Sequence, residues 1–333
     1  MARDPGSPTV REPAGRQWAL RSQRALLAGT VAAALLFLPA QAQPGRSFVD
    51  RMEEIWLLVS VRYWPAARLQ EVGWEGLRDE FLARAAELAS EEEFDRLARE
   101  LTDRIGDDHT AYVPAWRARF LRPEGESRCA PEAREACAGE PVWSQLFATP
   151  GGPAAYLRVA DLVRPWAPAW IRESVAGLEV EGAKFIALDL RGNPGGAAVV
   201  MAELAGVFTR GVLWRLIGPL PGLLATTGPQ ATSLPLVVLV DEATNSAAEG
   251  LAGGLQRVGR ALVAGQVSAG NVETLLPYRL REGGLLLIAE GRLAPLQGPA
   301  WDGVGIRPDI SLDPDLDLAE LMNLLARALA GPG

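Results

Sequence analysis

The sequence contains very few of the side chains that most often act as bases, metal ligands or crosslinks. Among 333 residues there is one histidine, His109, and one lysine, Lys184, although lysine and arginine together number 33. The only cysteines are Cys129 and Cys137. One histidine and two cysteines cannot form a four-ligand zinc site without carboxylates. We therefore expect a protein that needs no metal and no cofactor.

Basic residues are also fewer than acidic residues. The formal net charge is −8, and no cluster of basic residues alternates with aromatic ones along the chain. Both features argue against nucleic acid as a partner. Hydrophobic residues make up 48% of the chain and charged residues 22%, which is typical of a globular protein and excludes a largely disordered one.

The first 42 residues have the pattern of an export signal. Arg16, Arg21 and Arg24 precede the apolar stretch 25–38, and Ala40-Gln41-Ala42 has the A-x-A form of a signal-peptidase site. The apolar stretch is short for a membrane span. We predict that residues 1–42 are a signal peptide and that the mature chain is periplasmic or extracellular. The alternative is an uncleaved N-terminal segment that tethers the chain to the membrane.

The rest of the chain divides into three parts. Residues 43–112 show helical spacing of apolar side chains. Residues 113–153 are predicted to form a loop, largely rich in Pro, Gly and charge, in which Cys129 and Cys137 form a local disulfide, as an exported protein allows. Residues 154–333 alternate strands with helices, which predicts an α/β core with a mainly parallel sheet.

Ser246 lies at the junction between the predicted strand 236–240 and the predicted helix 246–258. The pattern Ser246-Ala247-Ala248-Glu249 fits a capping box, so Ser246 could simply cap the helix. A nucleophilic role would need a base, an oxyanion hole and a group that orients the base. In a mainly parallel sheet such a site is expected at the carboxyl ends of the strands.

Candidates for each of these roles exist. His109 is the base candidate, because an imidazole accepts a proton near neutral pH whereas arginine is too basic. Gly195 and Gly196, in the loop 191–196, are candidates for the oxyanion hole, since paired glycines allow the backbone to approach a ligand closely. The start of the helix offers further N–H groups. Asp302 and Glu273 are both candidates for the orienting carboxylate, and spacing alone favours neither.

Four ordered segments resemble the C-terminal processing peptidases, or tail-specific proteases, which share a catalytic core with the tricorn protease. The matching segments are GDDHTAY at 106–112, FIALDLRGNPGG at 185–196, the strand and helix at 234–256, and WDGVGIRPDI at 301–310. The resemblance implies a crotonase/ClpP-like α/β core with a mainly parallel sheet flanked by helices, preceded by a small N-terminal helical region. It also implies serine peptidase activity on polypeptides, with Ser246 as the nucleophile.

The chain departs from that family in two respects. Residues 113–153 leave too little room for the PDZ domain that the family commonly carries, so we expect it to be absent. Asn271 stands where many members have the lysine base, so we do not expect a serine–lysine dyad in this chain. The tricorn-like branch instead uses histidine with a carboxylate, and the resemblance implies Ser246, His109 and Asp302, with Glu273 as the alternative carboxylate.

The resulting hypothesis is an exported serine endopeptidase with an oxyanion hole formed by Ala247 and by Gly195 or Gly196. Loss of the lysine motivates a second hypothesis, a peptide-binding protein that keeps the fold without turnover. An esterase-like hydrolase is a third. The sequence predicts no oligomeric state.

Overall fold

The computed structural model describes residues 46–107, 109–118 and 140–330. The predicted signal peptide and the cysteines Cys129 and Cys137 lie outside these residues. In the part of the chain that is described, no helix is long and apolar enough to cross a bilayer. The helices are α1 (Phe48–Arg62), α2 (Ala66–Glu71), α3 (Trp74–Ala86), α4 (Glu91–Asp103), α5 (Ala115–Ala118), α6 (Ala167–Val180), α7 (Ala198–Phe208), α8 (Ala247–Arg257) and α9 (Leu318–Ala330).

The strands form two sheets. They are β1 (Ala111–Val113), β2 (Val142–Phe147), β3 (Ala154–Val159), β4 (Ile186–Asp189), β5 (Val212–Ile217), β6 (Gly222–Ala225), β7 (Leu236–Val240), β8 (Ala261–Gly265), β9 (Glu273–Arg279), β10 (Leu285–Pro295) and β11 (Ile310–Ser311). The first sheet has the order β11-β8-β7-β4-β3-β2 and is parallel except for β2. This sheet confirms the predicted mainly parallel α/β core.

The central strands are nearly continuous apolar runs because a parallel sheet covered by helices is buried on both faces. All five residues of β7 are buried, as are all four of β4. Helices α6, α7 and α8 supply the core on one face of the sheet, and α9 covers the other face through residues such as Leu321 and Leu325. The carboxyl ends of β4 and β7 therefore lie side by side, where the loop 191–196 and Ser246 follow them.

The second sheet was not expected from the sequence. The long strand β10 pairs antiparallel with β1, β5 and β9, and β5 continues to β6. The N-terminal helices pack against this sheet, with Met52, Ile55 and Phe94 in one core with Leu286 and Ile288. This packing brings the segment around His109 to the same sheet that carries Glu273.

One expectation about the loop region was wrong. Residues 113–153 were expected to form a loop, yet β2 falls within them and pairs with β3 along its whole length, from Val142↔Val159 to Phe147↔Ala154. Its alternating burial, with Val142 and Ser144 inside, is that of an edge strand with one face on the core.

Candidate active site

Ser246 occupies a strained turn between β7 and α8. Its backbone has φ 54° and ψ −122°, and among the described residues it is the only residue other than glycine with a positive φ. Such a conformation costs about 1–3 kcal/mol and persists only where surrounding contacts impose it. A sharp strand-to-helix turn of this kind is one way in which a fold presents a nucleophilic serine at the end of a sheet.

Two hydrogen bonds impose that conformation. The Ser246 N–H donates to the backbone oxygen of Asn271 at 3.0 Å and to Glu249 Oε2 at 3.0 Å. The second bond is the half of the predicted capping box in which the glutamate reaches back to the start of the helix. Ser246 is therefore held by the helix that it precedes and by the loop before β9.

The Glu249 carboxylate is the centre of this arrangement, a role that sequence reasoning did not assign. It is fully buried and accepts from the N–H groups of Ser246, Gly270 and Asn271 and from Ser268 Oγ, at 2.6–3.0 Å. A buried carboxylate is tolerated only when its oxygens are paired in this way. The S-x-x-E spacing was the one signal in the sequence that could have pointed to it.

The glycine loop lies directly against the serine. Gly195 has φ 92°, and a Cβ atom there would stand 2.7 Å from Ser246 Cβ and 2.9 Å from the Ala247 nitrogen. Only glycine fits so close an approach at that φ. The Asn193 side chain fixes the loop, since its Nδ2 donates to the Val159 oxygen at 2.9 Å.

The structure distinguishes the two glycines proposed for the oxyanion hole. The Gly195 N–H donates to Asn193 Oδ1 at 2.8 Å, so it is already engaged. In the described part of the chain, no hydrogen bond occupies the N–H groups of Gly196 and Ala247. Of the two glycines, Gly196 is therefore the candidate donor for the oxyanion hole. Ala247, at the start of α8, remains the other candidate donor.

His109 is buried at the edge of the second sheet, next to a carboxylate. Its side chain is 7% exposed, and its Nδ1 atom lies 3.2 Å from Glu273 Oε2, although the angle is not that of a regular hydrogen bond. Asp107 orders the segment, because its Oδ1 accepts from the N–H groups of His109 and Thr110 at 3.0 and 2.6 Å. With Nδ1 turned to Glu273, Nε2 is the nitrogen that remains for a serine hydroxyl.

Tyr63 completes the surroundings of this segment. Burial, followed by the negative charges of Asp107 and Glu273, raises the pKa of the Tyr63 hydroxyl well above its usual value. Tyr63 therefore stays protonated and hydrogen-bonds Asp107. This neutral donor supports the carboxylate that positions His109 and adds no charge of its own.

Asp302, the carboxylate implied by the resemblance, has a different partner. Its Oδ2 lies 2.9 Å from Arg292 Nη1, and the Arg292 guanidinium stacks 5.0 Å above the Trp64 ring. The sequence left Glu273 open as the alternative, and the structure brings Glu273 rather than Asp302 to His109. The physical reason is the register of β9 on β10, which fixes Glu273 at the start of its strand opposite Arg292.

A short path of chain connects the serine to the histidine. The Asn271 oxygen contacts the Ser246 nitrogen, and Glu273, two residues further along, contacts His109. Two residues of extended chain span about 7 Å. The loop before β9 thus contacts the nucleophile candidate through Asn271 and leads directly to Glu273, which contacts the base candidate.

Comparison with known proteins identifies a family and several relatives. Residues 153–312 match Peptidase family S41. A carboxyl-terminal-processing protease of Picosynechococcus sp. is 30% identical over 179 residues, which cover 53% of this chain and 43% of that protein. The chain thus spans less than half the length of this curated relative.

Two solved structures share the fold. A photosystem II D1 C-terminal processing protease superposes with a TM-score of 0.64 at 19% identity, covering 86% of this chain and 98% of that one. The tricorn protease superposes with a TM-score of 0.50 at 12% identity, covering 86% of this chain and 37% of that one. The family match includes the glycine loop, Ser246 and Glu273, so this part of the chain is similar to peptidase family S41.

Proposed function

We propose that the protein is an exported serine endopeptidase with Ser246 as nucleophile, His109 as general base and Glu273 as the carboxylate that orients His109. The observation that carries this proposal is the strained backbone of Ser246, held beside Asn271 while Glu273 contacts His109. Strain of this kind at the end of a parallel sheet, with a histidine–carboxylate pair that begins two residues beyond the loop contacting the serine, supports nucleophilic catalysis.

In the proposed reaction, His109 Nε2 takes the proton of the Ser246 hydroxyl as its oxygen attacks a peptide carbonyl. The N–H groups of Ala247 and Gly196 bind the oxygen that becomes negatively charged. His109 then gives the proton to the departing amine, which leaves an ester on Ser246. Water, deprotonated by His109, hydrolyses this ester, and Glu273 stabilises the positive imidazolium throughout.

The substrate is proposed to be a polypeptide, without selection for carboxyl termini. The relatives carry the name of carboxyl-terminal processing, but residues 113–153 leave little room for a PDZ domain that would select chain ends. Export rests on residues 1–42, and sequencing the N-terminus of the mature protein tests it. A first residue at Gln43 supports cleavage after Ala42, whereas an intact leader supports a membrane tether.

Labelling by a fluorophosphonate probe tests the proposed nucleophile. We expect one labelled residue, Ser246, and loss of labelling in Ser246→Ala and His109→Ala. Ser233→Ala is the matched control, because Ser233 is exposed and precedes β7, whereas Ser246 follows the other end of that strand. Labelling that persists in Ser246→Ala would refute the proposal.

A peptide-binding protein without turnover is the second candidate. Asn271 favours it, because an amide cannot take the proton that lysine takes in many members of the family. In that case the purified protein binds unfolded chains, leaves casein intact and shows no labelling. An esterase would instead react with the probe and hydrolyse esters but not casein.

A further inference from the structure

A cavity of about 520 Å³ lies on the face of the parallel sheet opposite Ser246. It opens at the carboxyl ends of β3, β4, β7 and β8 and is bordered by Leu321 of α9, whereas Ala247 and the start of α8 belong to the core on the other face. Its size falls in the range of small-molecule sites, about 300–1,000 Å³. The proposed peptidase reaction does not use it.

Two arginines surround a buried carboxylate in the lining of this cavity. Asp189 is almost fully buried and accepts from the Tyr156 hydroxyl at 2.6 Å and from Arg191 Nη2 at 2.7 Å. Arg158 Nη1 also lies 3.5 Å from Asp189 Oδ1. Two guanidinium groups therefore share a single carboxylate. Within the described residues, Arg158 Nη2 and Arg191 Nη1 have no hydrogen-bond partner and remain available to an anion.

Carboxylates also line the cavity. Glu242 and Asp313 are exposed where the cavity meets solvent. A third carboxylate, Asp241, is already engaged, since its Oδ1 accepts from Gly192 N–H at 2.8 Å and from Ala243 N–H at 3.1 Å. A compact dianion such as phosphate would be repelled by these acids. A ligand with a negative end and a positive end matches both charges.

Part of the cavity lining is apolar. It is formed by Val240, Leu312, Pro314 and Leu321, of which Val240 and Leu321 are buried. An aliphatic side chain placed against this wall removes apolar surface from water, which contributes about 25 cal/mol per Å². The cavity thus presents guanidinium groups, an aliphatic surface and carboxylates in one lining.

We propose that this cavity binds a free amino acid or short apolar peptide in its zwitterionic form. The α-carboxylate lies on Arg158 and Arg191, where guanidinium groups form paired hydrogen bonds to carboxylates. The aliphatic side chain packs on Leu312, and the ammonium group faces Glu242 and Asp313. This binding does not depend on the proposed peptidase activity, although the products of a peptidase belong to this ligand class.

Isothermal titration calorimetry with three ligands tests the proposal. The full chain carrying Ser246→Ala is titrated with leucyl-leucine, with its C-terminal amide and with its N-acetyl derivative. We expect leucyl-leucine to bind and the amide to bind about 10- to 100-fold more weakly, because a charge-assisted hydrogen bond is lost. The N-acetyl derivative, which lacks the ammonium group, is expected to bind more weakly than leucyl-leucine.

Variants assign the binding to this cavity. In the Ser246→Ala chain, Arg158→Gln is expected to weaken leucyl-leucine binding by about 10- to 100-fold. Glu242→Gln is expected to weaken leucyl-leucine binding and leave the N-acetyl derivative unchanged, and Glu242 is exposed, so the fold does not depend on it. Arg279→Gln, at an exposed position on β9, is the control. Equal binding of the amide, or full binding in Arg158→Gln, would overturn the proposal.

Discussion

Exchanging Glu273 for glutamine measures the role of the carboxylate that contacts His109. The two charged groups would lie 3.2 Å apart once His109 is protonated, and both side chains are largely buried. At an effective dielectric constant of about 20, unit charges at this distance attract by about 5 kcal/mol. If the whole of this energy acted in the transition state, its loss would slow the reaction by about 10⁴-fold.

Glutamine keeps a partially negative oxygen that can face Nδ1, so part of that energy remains. We therefore expect Glu273→Gln to slow the reaction by about 10²–10³-fold. Asp302→Asn is the matched comparison, because Asp302 contacts Arg292 and not His109. For that variant we expect a change of less than about tenfold, from the altered position of Arg292 alone.

The assay is the second-order rate constant for fluorophosphonate labelling of Ser246, with casein hydrolysis as the second readout. Thermal unfolding of each variant shows that the fold is retained. The reasoning would be refuted if Asp302→Asn removed labelling while Glu273→Gln left it unchanged. That outcome would return the orienting role to Asp302, as the family resemblance implies.

Substitutions at Gly195, Glu249 and Asn271 test three parts of the site separately. Gly195 and Gly182 share a φ near 95°, but only at Gly195 would a Cβ meet other atoms. Gly182→Ala should therefore lose about 1–2 kcal/mol of stability and keep labelling, whereas Gly195→Ala should lose more stability and about 10²-fold or more of labelling. In Glu249→Gln, an NH₂ group replaces one of the two oxygens that accept hydrogen bonds, so about two of the four bonds are lost. The free energy of unfolding, measured in urea, should fall by about 3–6 kcal/mol. Asn271→Lys in a His109→Ala background should regain measurable labelling, and no gain would show that the lysine cannot reach the serine.

Much of the parallel core could be predicted from the sequence because its signals are local. The apolar run Leu236–Val240 was expected as a strand, and the structure gives β7 the same bounds. The apolar run 185–190 likewise contains β4. Buried parallel strands and amphipathic helices reveal themselves in short windows of sequence.

The second sheet could not be predicted in the same way. Strand β10 contacts β1, β5 and β9, which come from separate parts of the chain. Each of these pairings joins residues that are distant in sequence, and half-exposed strands carry weaker patterns than buried ones. The hairpin of β5 and β6 and the edge strand β2 were missed for this reason.

The choice between Glu273 and Asp302 shows the same limit at the site. Both carboxylates follow Ser246 in the sequence, and neither spacing states where its side chain points. The decision depends on the pairing of Glu273 with Arg292 across β9 and β10, and on the N-terminal helices that carry His109 to that sheet. Glu249 was visible only as a helix cap, because its contacts with Gly270 and Ser268 depend on the tertiary fold.

The contacts around Ser246 explain how the site can lack the lysine of its relatives. Residue 271 holds the serine through its backbone oxygen, and its N–H is held by Glu249. Neither contact involves the Asn271 side chain, so the geometry of the nucleophile does not depend on which side chain stands there. The proton acceptor can then come from elsewhere, and β9 delivers Glu273 to His109 two residues beyond the same loop. Residue 271 therefore supports Ser246 through its backbone, whichever side chain it carries. Introducing lysine at this position consequently tests a different base while these backbone contacts stay the same.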